Sequence, residues 1–119
     1  MDKWFLEAGI TQKTSATVKM ALDELISNVI FYGYQDSEPH KIQINFSFEN
    51  NVLTIMVQDD GQPFDPTQLE TPDLESSAGD RQIGGLGIHI VRNMMDEFSY
   101  ARINNKNVIT LKKIDKPNK

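Results

Sequence analysis

The sequence contains no cysteine, which removes both disulfides and thiolate metal sites from consideration. It has two histidines, His40 and His89, too far apart in the chain to suggest a ligand cluster. Positive charge is in deficit: 12 Lys and Arg against 17 Asp and Glu give a formal net charge of −5. A duplex DNA binder needs a basic face to displace counterions, so no nucleic-acid partner is expected. The deficit does not exclude a nucleotide, because one local site can bind a phosphate whatever the total charge. Long apolar runs are also missing. No segment could span a bilayer, and "MDKWFLEAG" lacks a basic region followed by an apolar stretch of signal-peptide length. No membrane partner is expected, and the expected location is cytoplasmic.

What is present suits a single domain over residues 1–119, long enough to bury a core. Met1 to Glu7 reads as a short helix closed by Gly9. A longer helix follows from about Thr14 to Tyr32, with Val18, Leu22, Leu25 and Val29 at helical spacing and Ala21 and Ile26 widening the stripe. In "KIQINFSF", Ile42, Ile44, Phe46 and Phe48 alternate onto one face; "ENN" turns the chain, and Leu53, Ile55 and Val57 alternate on the return. From Gly61 to Ile83 no period holds, which in a small domain points to a functional loop or to misassigned elements. "GGLG" then opens a third helix with Leu86, Ile90, Val91 and Met94 expected inside. "FSYARI" and "VITLKKI" read as strands around the turn "NNKN", and the tail, residues 115–119, is expected to fray. This order predicts an α+β two-layer sandwich, an antiparallel or mixed sheet with helices on one face.

Three constellations could carry chemistry. Glu24 and Asn28 in "DELISN" project from one helix face on the flank of the apolar stripe, where a glutamate can accept a proton and an amide oxygen can ligate Mg²⁺. Asp59-Asp60-Gly61 places a carboxylate at a strand end, able to accept from an exocyclic amine. Gly84-Gly85-Leu86-Gly87 offers backbone N–H groups and close approach for a phosphate at a helix start. Each also has a plainer reading: a solvated helix edge, an Asp-Gly turn, an ordinary helix entry. No G-x-x-x-x-G-K-[ST] is present, so this is not a P-loop, and the glycines follow a long loop where a Rossmann turn would follow a strand.

Taken in order, "DELISNVIFYGY", "DDGQPFDP", "GGLGIHIVRNMMDEF" and "NNKNVITLKK" resemble the ATP-binding domain shared by histidine kinases, gyrase and MutL (the GHKL group, with its Bergerat-type fold). The match is closest to the branch of bacterial anti-sigma-factor serine-protein kinases and covers nearly the whole chain. The resemblance implies ATP and Mg²⁺ as cofactors. It implies Asp59 as the adenine reader with Gly61 beside the base, Asn28 as the Mg²⁺ ligand, and Glu24 as the catalytic general base. It further implies Gly84, Gly85, Leu86 and Gly87 around the phosphates, a lid over about residues 66–83, and Arg81 as a γ-phosphate contact. Asp60 and Asp65 are left as solvent or turn residues. The chain departs from the wider pattern at Pro63, in place of a second glycine. It departs again at Lys106-Asn107, where many members have Gly-Thr; Asn107 or Thr110 is left to take the threonine's place beside adenine.

The function implied is an ATP-dependent protein-serine kinase of the anti-sigma-factor type. Its partners would be a sigma factor or similar client and an anti-anti-sigma-like antagonist that it phosphorylates on serine; a homodimer is compatible with the resemblance. Alternatives of other classes are a non-catalytic ATP-gated binding module and the catalytic domain of a split histidine kinase. Setting the resemblance aside leaves a small α+β interaction domain with an acidic loop and no nucleotide affinity.

Overall fold

The computed structural model describes residues 2–33, 40–68 and 85–116. Helix α1 spans Asp2–Ala8 and α2 Gln12–Gly33; strands β1 (Ile42–Glu49) and β2 (Val52–Asp59) follow. A 3₁₀ turn at Pro66–Gln68, helix α3 (Gly85–Met94) and strands β3 (Glu97–Ile103) and β4 (Lys106–Ile114) complete the order. The four strands form one antiparallel sheet in the order β1-β2-β4-β3. The α+β architecture expected from the sequence is the one observed, with the sheet purely antiparallel.

Both hairpins close through two asparagines. Asn50 and Asn51 adopt φ of 53° and 64°, and Asn104 and Asn105 adopt 51° and 62°. Positive φ at both central residues matches the right-handed twist of the flanking strands, and asparagine tolerates it better than most residues. The second turn is shorter than the "NNKN" expected. Lys106 and Asn107 already belong to β4, opposite Ile103 and Arg102. That shift of strand start matters for the site.

The strand alternation sorts side chains as expected. Leu53, Ile55 and Val57 of β2 and Ile109 and Leu111 of β4 are fully buried, joined by Val18, Ala21, Leu22, Leu25 and Val29 of α2. Burial of each large aliphatic contributes about 1.5–3 kcal/mol, so this one cluster supplies most of the fold's cohesion. Within α3 the innermost residues are Ile88 and Val91, where the sequence had suggested Ile90; Ile90 and Met94 are half-buried. Helix α1 is anchored by Phe5, which is buried and whose ring meets Trp4 and Phe46 edge-on at centroid distances of 5.6 and 5.4 Å. Gly9, at φ +82°, reverses the chain after α1.

The expectation of a frayed tail fails at Asp115, which is 2% exposed. Its carboxylate accepts from the Thr11 amide at 3.1 Å and from the Thr11 and Thr14 hydroxyls at 2.7 Å each. These groups lie at the start of α2, whose first N–H groups need acceptors from outside the helix. The Thr14 amide finds its acceptor in Thr11 Oγ1 at 3.3 Å, and a carboxylate more than a hundred residues away holds Thr11 and Thr14 in that arrangement. Its amide also donates to the Asn51 carbonyl at 2.7 Å, tying the same point to the first hairpin. Burial alone would raise the Asp115 pKa, but the hydrogen bonds from Thr11 and Thr14 outweigh it and hold the carboxyl below its ordinary range.

Candidate functional site

Asp59 continues the inward phase of β2 after residues 53, 55 and 57, so an acid arrives at the helix-facing side of the sheet, 2% exposed. Its Oδ1 accepts from the Gly61 amide at 2.9 Å and from the Asn107 side-chain amide at 3.0 Å. Its Oδ2 is buried with no partner in the described chain. Buried acceptors left unpaired are rare and costly, and charged ones more so. An N–H donor from a ligand would satisfy this one.

A second unpaired acceptor lies on α2. Asn28, 3% exposed, falls inside the buried stripe and not on its flank. Its Nδ2 donates to the Glu24 carbonyl at 2.7 Å, which fixes the amide and leaves Oδ1 buried without a partner. Glu24 is half-buried one turn earlier and reaches across to α3. A Cβ on Gly87 would collide with the Glu24 carboxylate oxygen, and would stand 3.0 Å from its Cδ. Gly87, in the first turn of α3, therefore lacks a side chain because Glu24 occupies that space. The structure thus brings Glu24, Asn28 and Gly87 together, and Asp59, Gly61 and Asn107 together.

Several expected site residues behave otherwise. Thr110 is corrected: the β2–β4 and β3–β4 registers pair it with Met56 and Ser99, on the sheet face opposite Asp59. Asn107, opposite Asp59 in the register, is the one of the two that lies beside it. The sequence reading had Asn107 in a turn, where side-chain direction has no period-2 rule. Gly85 and Leu86 lie in the opening turn of α3. Gly84, Arg81 and the lid beyond Gln68 lie outside the described residues. Asp60 is exposed and pairs with the His40 ring at 3.2 Å, and Asp65 caps the 3₁₀ turn through Thr67. A depression of about 410 Å³ opens near the same strand ends, but Lys41, Gln43, Gln58 and Lys106 line it along with Asp59 and Asp60. Glu24, Asn28 and Gly87 are not part of it, so the two unpaired acceptors define the site better than this hollow does.

The family described as histidine kinase-like ATPase domain matches residues 2–113. The chain belongs to this family. Among characterised members, the serine/threonine-protein kinase BtrW of Bordetella bronchiseptica is 28% identical over 112 residues, covering 91% of this chain and 79% of that protein. The anti-sigma F factor of Clostridium novyi is 30% identical over 87 residues, covering 73% and 61%. The serine-protein kinase RsbW of Bacillus subtilis is 27% identical over 107 residues, covering 87% and 65%. The chain thus spans between three fifths and four fifths of these relatives. The histidine kinase AdeS of Acinetobacter baumannii shares the fold, with a TM-score of 0.56 at 16% identity over 86% of this chain and 47% of that one.

Proposed function

We propose that this chain is an ATP-dependent protein-serine kinase of the anti-sigma-factor type. On this reading it binds a sigma factor or similar client and phosphorylates a serine on an antagonist protein. The relatives named as serine-protein kinases and anti-sigma factors support the class. The observation that carries the reading is the pair of buried, unpartnered acceptors, Asp59 Oδ2 and Asn28 Oδ1.

In this reading Asp59 Oδ2 accepts the amino group of adenine, and Gly61 lets the base lie close to the backbone. Asn28 Oδ1 would ligate Mg²⁺, an oxygen-seeking ion that neutralises charge between the phosphates. Gly87 and the opening amides of α3 face the phosphates, and Arg81 and Gly84 remain candidates for the same role. Glu24 takes the proton of the acceptor serine as its oxygen bonds to the γ-phosphorus and ADP leaves. No helix among the described residues is long and apolar enough to cross a membrane.

Calorimetric titration of Mg-ATP into the wild type and Asp59→Asn tests the nucleotide site. Saturable binding, weakened at least tenfold in the variant, is the expected result, since a charge-assisted hydrogen bond contributes about 1.5–3 kcal/mol. Phosphoserine on a co-purified antagonist, lost in Glu24→Ala with ATP binding retained, is expected for a kinase. Binding without transfer would instead identify an ATP-gated binding module.

A further inference from the structure

Asn107 is buried to 98%, and its amide is saturated in a way that does more than fill a strand position. Its Oδ1 accepts from the Tyr100 hydroxyl at 2.5 Å and from the Phe64 amide at 3.2 Å. Two donors on the oxygen fix the amide's orientation, so its NH₂ faces Asp59 Oδ1 at 3.0 Å and the Gln62 carbonyl at 2.9 Å. The Gly61 carbonyl lies near the same nitrogen at 3.5 Å and accepts from Arg102 at 2.8 Å. One side chain on β4 thus joins a β3 tyrosine, the end of β2, and the loop from Gly61 to Phe64.

The consequence falls on Asp59. A carboxylate has two equivalent oxygens, and a loosely held one can rotate to suit a donor or to avoid an acceptor. Here Oδ1 is committed to two N–H groups, one from Gly61 and one from Asn107. Rotation of the carboxylate would break both bonds, so only Oδ2 remains to face a ligand, always as an acceptor. We propose that Asn107, oriented by Tyr100, is a positioning residue that makes Asp59 selective for a base carrying an exocyclic amine. It does so by preventing the carboxylate from turning away from a carbonyl-bearing base. The proposal rests on the reading of Asp59 as the adenine contact and adds to it a source of base discrimination. A site that rejects a ligand by leaving a fixed polar group unpaired discriminates far better than one that can relax.

Inosine triphosphate is the probe, because its base carries a carbonyl where adenine has its amine and an N1–H where adenine has a bare nitrogen. The experiment is calorimetric titration of Mg-ATP and Mg-inosine triphosphate into wild type, Asn107→Ala and Tyr100→Phe, with far-UV circular dichroism to confirm folding. The wild type is expected to prefer ATP. Asn107→Ala is expected to reduce that preference by about tenfold, the worth of one hydrogen bond to a charged group. Tyr100→Phe keeps the ring and the fold, and should reduce the preference by about threefold by removing the shorter of the two bonds that hold the Asn107 amide in place. If both nucleotides weaken equally in both variants, Asn107 only ties the loop to the sheet and the proposal is overturned. Unchanged preference in Tyr100→Phe with its fold intact overturns the tyrosine's part. A wild type that binds neither nucleotide overturns the adenine reading of Asp59 itself, which distinguishes the two failures.

Discussion

Replacing Gly87 by alanine probes the contact on which the catalytic reading of Glu24 depends. The added methyl would land on the Glu24 carboxylate oxygen, 3.0 Å from Cδ and 3.4 Å from Cβ. The carboxylate is the mobile end of its side chain, so it would move by torsion, at about 0.5–1.5 kcal/mol for a strained rotamer. Alanine in place of glycine within a helix returns up to about 1 kcal/mol. These terms nearly offset, and urea unfolding should place Gly87→Ala within about 1 kcal/mol of wild type. Activity should respond very differently. Moving a catalytic base by about 1 Å lowers the rate by about a hundredfold. A double-mutant cycle separates this from a blocked phosphate site. In a Glu24→Ala background the colliding atoms are gone, so adding Gly87→Ala should raise stability by up to about 1 kcal/mol and leave ATP affinity unchanged. If Gly87→Ala transfers phosphate at the wild-type rate, or destabilises both backgrounds equally, the account of Glu24 held against Gly87 is wrong.

Other outcomes follow from the structure. Asp115→Ala removes the acceptor for three hydrogen bonds at the start of α2 and should lower stability by about 2–4 kcal/mol in urea titration, against under 0.5 kcal/mol for a frayed tail. Because the folded Asp115 pKa is depressed, its contribution is complete above the ordinary carboxylate range and is lost as the pH falls through the lower folded value. Wild type should therefore lose stability faster than Asp115→Ala as the pH falls below about 4, and parallel curves would refute the assignment. Gly9→Ala forces a side chain into positive φ where space is open, so strain alone should cost about 1–2 kcal/mol in the same titration.

Much of this was legible in the sequence, for reasons that single residues show. Alternation in "VLTIMVQD" carries straight through to Asp59, so its helix-facing position follows from parity alone. The spacing of Val18, Leu22, Leu25 and Val29 marked the buried stripe of α2 just as well. The misses share a cause, which is dependence on a boundary or on a distant partner. Four turn-compatible residues in "NNKN" hid the point where β4 begins, and with it the inward parity of Asn107 and the outward parity of Thr110. In α3, only ten residues long, a shift of two positions was enough to exchange Ile88 for Ile90. Asp115 left no local trace at all, because the groups it binds are at Thr11 and Thr14.

The strand order has a consequence for the newly made chain. Of the four strands in this sheet β4 is the last to emerge from a ribosome, yet it lies inside the sheet, between β2 and β3. Until it arrives, β2 presents an open edge carrying Leu53, Ile55 and Val57, the kind of surface on which nascent chains aggregate. Asn107 and Asp115 arrive with it, so Asp59 lacks its side-chain partner, and Thr11 and Thr14 lack the carboxylate that holds them, until synthesis has passed residue 115. Closure of the sheet and completion of the Asp59 cluster are therefore one late event, and a fragment cut short before β4 should require a chaperone to remain soluble.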